Sequence, residues 1–183
     1  MVSRCLLISG LSGSGKTTIG KQLSQLKGWN FIDGDDFFIP KDQMSQVKLS
    51  NGDWVANWDS PNSIDWAKLN RVVKQQLLNN NVVLVTFLPM TEMYEFNVNY
   101  HVRLLTGRDA IKKCIDARKV SKKIVTLEKA SKDELVILEY VIPMYADMCA
   151  RSVDQEIHVY QSDGESSVRR DVRDILNDII DIF

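Results

Sequence analysis

The stretch Gly10-Leu11-Ser12-Gly13-Ser14-Gly15-Lys16-Thr17-Thr18 follows directly on the apolar run Cys5–Ser9. Its pattern, Gly-x4-Gly-Lys-Thr between a buried strand and a helix, dictates a local order of strand, tight loop and helix. The glycines let the backbone wrap so that successive N–H groups point at phosphate oxygens, and the helix N-terminus adds partial positive charge. Gly10, Ser12, Gly13, Ser14, Gly15, Lys16, Thr17 and Thr18 are therefore expected to hold a nucleoside triphosphate, and ATP is the expected one. Lys16 would reach the β- and γ-phosphates, and the Thr17 hydroxyl would ligate Mg²⁺.

The rest of the chain alternates in a way that extends this unit. Residues 4–9 read as the first strand and residues 16–26 as a helix. Residues 29–33 (WNFID), 81–87 (NVVLVTF), 99–105 (NYHVRLL) and 156–160 (EIHVY) read as four more strands. Ser60 and Pro61 read as the start of a helix that carries Trp66, Leu69, Val73 and Leu77 on one face. Helical patterns also follow Gly107 as far as about Arg118, run from about 131 to 149, and include Val168, Val172, Ile175, Leu176, Ile179 and Ile180 near the C-terminus. Residues 39–60 show no period, and a loop that long in a compact domain is usually functional. The expected fold is a single α/β domain over 1–183: a five-stranded parallel sheet of the P-loop NTPase type with helices on both faces. In such sheets the ligand site lies beyond the carboxyl ends of the strands.

The end of the second strand brings Asp33, Asp35 and Asp36 to the same rim as the phosphate loop. A carboxylate there can accept the proton of an attacking hydroxyl and help hold Mg²⁺, which makes Asp35 a candidate for both roles. Asp and Gly also favour turns, so a solvated turn is the competing reading.

With these residues in view, GLSGSGKTT, DDFF-x-P some twenty residues later and NWDSPNSID together resemble the uridine kinase superfamily of nucleoside kinases. The nicotinamide riboside kinases are the most similar members, and YVIPMYADM (140–148) with HVYQSDG (158–164) is similar to their C-terminal third. The resemblance implies a nucleoside-kinase-like fold with a mobile lid at about 118–131, and ATP with Mg²⁺ as cofactors. It implies Asp35 as general base, with Asp36 beside it at the substrate, and Asp59 as the carboxylate that reads the ribose 2′- and 3′-hydroxyls. A carboxylate suits a vicinal diol because its two oxygens accept both protons. Phe38 matches an aromatic that packs on the base, with core filling an equal alternative; Trp54 and Trp58 are further stacking candidates on the same terms.

Lys112, Lys113, Arg118, Lys119, Lys122 and Lys123 form a basic segment. The resemblance makes it the lid, with Arg118 neutralising charge on the transferred phosphoryl group. One departure stands out: where relatives carry a glutamate after the third strand, this chain has Thr86. A threonine can hold a metal-bound water but brings no charge, and Glu92 or Glu95 is a possible substitute.

The implied activity is transfer of the ATP γ-phosphate to the 5′-hydroxyl of a ribonucleoside of the nicotinamide riboside or uridine type. The alternatives are a kinase of another small hydroxyl compound, such as a sugar acid or pantothenate, and a catalytically weakened nucleotide-binding module. A net charge of −1 and a pI near 6.1 give no global positive field for nucleic acid. The longest apolar run, 82–90, is far short of a membrane span. Three cysteines, Cys5, Cys114 and Cys149, make no CxxC pair, so a reducing, cytoplasmic setting is expected. His101 and His158 lie within expected strands and read as structural. Monomer and homodimer both remain open.

Overall fold

The computed structural model describes residues 2–106, 135–151, 157–162 and 177. Five parallel strands form the sheet: β1 (Cys5–Gly10), β2 (Asn30–Asp33), β5 (Val82–Thr86), β6 (Tyr100–Thr106) and β7 (Ile157–Ser162), in the order β2-β5-β1-β6-β7. All of β1 is buried, as a strand covered on both faces must be, which is why it reads as an unbroken apolar run. Its side chains alternate between two cores. Leu6 and Ile8 pack with Val83, Val85, Val102 and Leu104 against Ile19 and Leu23 of helix α1 (Lys16–Lys27). Cys5 and Leu7 face the other way with Val82 and Leu84. There they meet Leu69 and Val73 of α2 (Trp66–Leu77), and Tyr145 and Met148 of α3 (Ile142–Arg151).

Helix α1 lies against the sheet with no room to spare. A Cβ at Gly20 would come within 2.5 Å of Val85 Cγ1 and 3.0 Å of Phe31, so the glycine allows the close helix–sheet approach. Just before α3, residues Ile137–Val141 form a π turn closed by the Ile142 N–H on the Ile137 carbonyl. Pro143 has no N–H to offer one turn back, and the helix widens immediately before it.

Two expectations need correction. Residues 39–60 are not merely irregular: β3 (Gln46–Lys48) and β4 (Trp54–Ala56) pair antiparallel, with Val47 opposite Val55. Strands of three residues are too short for a period of two to show in sequence. The helix expected to start at Ser60 begins later. The Ser60 side chain instead accepts from the Asn62 N–H at 3.2 Å, capping a 3₁₀ turn at Pro61–Ser63. Asp65 caps α2, accepting from the Lys68 N–H at 2.9 Å. Between the 3₁₀ turn and α2 the chain is extended at Ile64, which bridges to Phe38, while the Asp65 N–H bonds the Phe37 carbonyl at 2.8 Å.

Cys5 is buried and Cys149 half-buried, both as thiols outside any disulfide among the described residues. His101 is buried, its Nε2 2.7 Å from Ser9 Oγ. Burial, and then the neighbouring Arg103 charge, pull its pKa down to about 4, so the ring is neutral at pH 7. Among the described residues no helix is long and apolar enough to cross a membrane. The helix expected after Gly107, the C-terminal helix, Cys114, the His158 side chain and the lid with Arg118 lie outside the described residues.

Candidate active site

Residues 11–15 leave the carboxyl end of β1 and turn sharply, the Ser14 N–H bonding the Leu11 carbonyl at 3.1 Å. Gly13 and Gly15 both sit at φ 88, a left-handed conformation that side-chain-bearing residues rarely adopt. Gly15 is the N-cap of α1, and Lys16 is its first residue. Lys16 is only 6% exposed, with Nζ 3.4 Å from the Leu11 carbonyl that accepts from it. Ser14 Oγ is buried in the loop without a hydrogen-bond partner among the described residues. A buried hydroxyl in that state calls for a ligand oxygen or water. Together with the helix N-terminus, it fits a phosphate. Thr17 is half-buried beside the loop and Thr18 is exposed.

The second carboxyl end contributes a 3₁₀ turn, Gly34–Phe37, directly after β2. Asp33 caps it, Oδ1 accepting from the Asp35 N–H at 3.2 Å, while Asp35 and Asp36 are exposed. Burial raises the Asp33 pKa. The Asp35 N–H and Lys16 oppose that rise, and the charges of Asp35 and Asp36 add to it. The turn is pressed onto the end of β5: a Cβ at Gly34 would lie 2.9 Å from the Val85 carbonyl oxygen and 3.1 Å from Thr86 Cβ. Gly34 thus sets how close the Asp35 turn comes to the central strands. The sequence held this signal only as a glycine between two aspartates.

Asp59 follows β4 and is partly buried. Its pKa is pushed up to about 6, by burial first; Lys16 pulls it down and Asp35 pushes it up. Those two influences place the phosphate-loop lysine, the turn carboxylate and Asp59 within electrostatic reach of one another. Lys16, Asp35 and Asp59 come from three separate parts of the chain and converge on one rim.

An aromatic group lines the same region. Phe38 meets the exposed Trp58 edge-on, with ring centroids 5.5 Å apart, and stacks on Phe87 at 6.1 Å with planes 14° apart. Phe87 went unnoticed in the sequence because it looks like the last apolar residue of a strand. Trp54 is exposed on the hairpin. Thr86, at the end of β5, is buried, and its Oγ1 accepts from the Leu88 N–H at 3.2 Å. Glu95 pairs with Lys74 on α2 at 2.6 Å. Glu92 is exposed.

Comparison with known proteins fits this geometry. The chain superposes on a gluconokinase from Sinorhizobium meliloti 1021 with a TM-score of 0.57 at 15% identity, covering 99% of this chain and 94% of that one. A shikimate kinase from Acinetobacter baumannii in complex with shikimate superposes with a TM-score of 0.51 at 16% identity, covering 98% and 92%. The fold is that of a P-loop kinase. In sequence, the shikimate kinase family profile matches residues 12–50. A probable gluconokinase of Rattus norvegicus is 28% identical over 95 residues, which is 51% of this chain and 48% of that protein. The thermosensitive gluconokinase of Escherichia coli (strain K12) is 45% identical over 56 residues, 29% of this chain and 30% of that protein. A probable gluconokinase of Xenopus tropicalis is 51% identical over 43 residues, 23% of its length. The matched stretches thus span between about a quarter and a half of these relatives.

The likeness supported is to gluconokinases and shikimate kinase, not to uridine or nicotinamide riboside kinases specifically. The reason is physical. A phosphate loop and a carboxylate turn after β2 serve any kinase with a hydroxyl acceptor, so these motifs do not discriminate between acceptors.

Proposed function

We propose that this chain is a phosphotransferase with an alcohol acceptor, moving the γ-phosphate of ATP to a hydroxyl of a small polyhydroxylated compound of the sugar-acid type. The observation that carries the reading is the convergence of Lys16, Asp35 and Asp59 at the carboxyl ends of a kinase-fold sheet. The likeness to gluconokinases supports the acceptor class. ATP with its Mg²⁺ would supply the phosphoryl group and neutralise charge on it. The backbone N–H groups of the loop, the Ser14 hydroxyl and Lys16 would hold the phosphates, and Thr17 and Asp35 would hold the metal. Asp35, exposed on its short turn, would accept the proton of the acceptor hydroxyl. Asp59 would orient the acceptor by taking hydrogen bonds from neighbouring hydroxyls. Arg118 and the lid at about 118–131 would close over the phosphates, within a single domain.

A second reading, transfer to a ribonucleoside, is favoured by the Phe38–Trp58–Phe87 aromatic group, which would suit a flat base. The deciding experiment incubates the protein with ATP–Mg²⁺ and a panel of sugar acids, shikimate, polyols and ribonucleosides, reading ADP release. Turnover with a sugar acid upholds the first reading, and turnover confined to nucleosides replaces it with the second. ATP binding without transfer to any acceptor leaves a nucleotide-binding module.

The raised pKa of Asp59 gives this reading a pH signature. Only the ionised carboxylate accepts two hydroxyl protons, and its pKa is raised to about 6. The kcat/KM for the acceptor should therefore be level above that value and fall about tenfold per unit below it. Asp59→Asn should lower kcat/KM at pH 7.5 and flatten the acid limb. A wild-type profile flat from pH 5 to 7.5 would remove Asp59 from acceptor binding.

A further inference from the structure

We propose that Glu139 and Tyr140 are positioning residues for the acceptor site, acting through the β3–β4 hairpin; the proposal rests on the kinase reading above. Both side chains leave the π turn that precedes α3 and reach the same end of the hairpin. One Glu139 carboxylate oxygen accepts the Ser50 N–H at 2.9 Å, and the other accepts the Ser50 hydroxyl. The Tyr140 hydroxyl donates to the Lys48 carbonyl. Segments about ninety residues apart in sequence are thus clasped at three points. Ser50's two hydrogen bonds, hydroxyl first and then N–H, hold the Glu139 carboxyl below its ordinary pKa.

The hairpin carries that constraint to the acceptor rim. The Leu49 N–H on the Asp53 carbonyl at 2.8 Å closes it at the turn, the β3–β4 ladder closes its middle, and the Asn57 N–H on the Ser45 carbonyl at 2.9 Å closes its base. Asn57 is in turn tied through its carbonyl to the Ser63 hydroxyl. The next two residues are Trp58 and Asp59. Movement at Lys48–Ser50 therefore shifts the aromatic edge and the carboxylate that face the acceptor. The phosphate loop is set separately, by the carboxyl end of β1 and the start of α1.

Surface hydrogen bonds of this kind contribute little to global stability. Small displacements of substrate-positioning groups, by contrast, change binding and rate strongly. The two roles separate in kinetics.

The test uses Glu139→Ala, Glu139→Gln and Tyr140→Phe in the full chain. It measures KM for acceptor and for ATP, kcat, and hydrogen exchange of the 46–57 amides. Glu139→Ala should raise acceptor KM about tenfold, with Glu139→Gln and Tyr140→Phe at roughly threefold because each keeps part of the clasp, and ATP KM should stay within about twofold. The Ser50 amide should exchange faster in Glu139→Ala. Unchanged acceptor KM in all three variants, or ATP and acceptor KM rising together, would overturn the proposal; so would unchanged Ser50 exchange. A wild type that transfers phosphate to no acceptor would instead overturn the kinase reading, and this proposal with it.

Discussion

Asp35→Asn is expected to abolish nearly all phosphoryl transfer, by about 10²–10⁴, while ATP–Mg²⁺ binding and fold persist. Asparagine keeps the size and much of the hydrogen bonding of the side chain but cannot accept the hydroxyl proton. The residue is exposed on a four-residue turn, so the fold does not depend on its charge. A second effect distinguishes a catalytic from a structural loss. The Asp35 charge pushes the Asp59 pKa up, so removing it should move the acid limb of the residual activity below pH 6. Turnover, nucleotide titration and the pH profile of one variant check all three. Transfer within threefold of wild type would remove Asp35 as the base.

Lys16→Ala should lower transfer by about 10²–10³, the scale for losing one preorganised charge donor. Here the acid limb should move the other way. Lys16 holds the Asp59 pKa down against burial, so without it the carboxylate protonates above pH 6. Opposite displacements in Lys16→Ala and Asp35→Asn would show that all three residues share one electrostatic site. Displacement in the same direction, or none, would break that link. Circular dichroism and a denaturant midpoint separate either result from misfolding.

The parts of this chain that were legible in sequence are those with a repeating physical rule. An apolar run and a glycine-rich loop leading into a helix placed β1, the loop and α1. Leu69 and Val73 were placed on the buried face of α2 by their spacing. The hairpin at 46–56 was not legible, because three-residue strands carry no period and its bonds to Glu139 and Tyr140 are long-range. Ser60 was misread as the cap of α2, since the 3₁₀ turn and α2 each have a good capping residue five positions apart. At the site, Asp33, Asp35 and Asp36 could be seen at a strand end. That burial would raise the Asp59 pKa could not be, as it depends on what packs around it. The acceptor class was hardest to read. The motifs that stand out are those expected to bind phosphate and remove a proton, whereas the rings proposed to face an acceptor, such as Phe38 and Phe87, look like ordinary core aromatics.

The fit between Gly34 and Thr86 limits what position 86 can carry. A Cβ at Gly34 would already lie 3.1 Å from Thr86 Cβ, and the Thr86 hydroxyl accepts the Leu88 N–H. Tyr94 is buried nearby, its hydroxyl facing the Thr86 side chain. A glutamate at 86 would need space where the backbone of the Asp35 turn now lies. Its carboxylate would enter an enclosed, largely apolar environment and carry a desolvation cost of its own. A larger side chain at 86 therefore presses on the Gly34–Phe37 turn, and with it on the placement of Asp35.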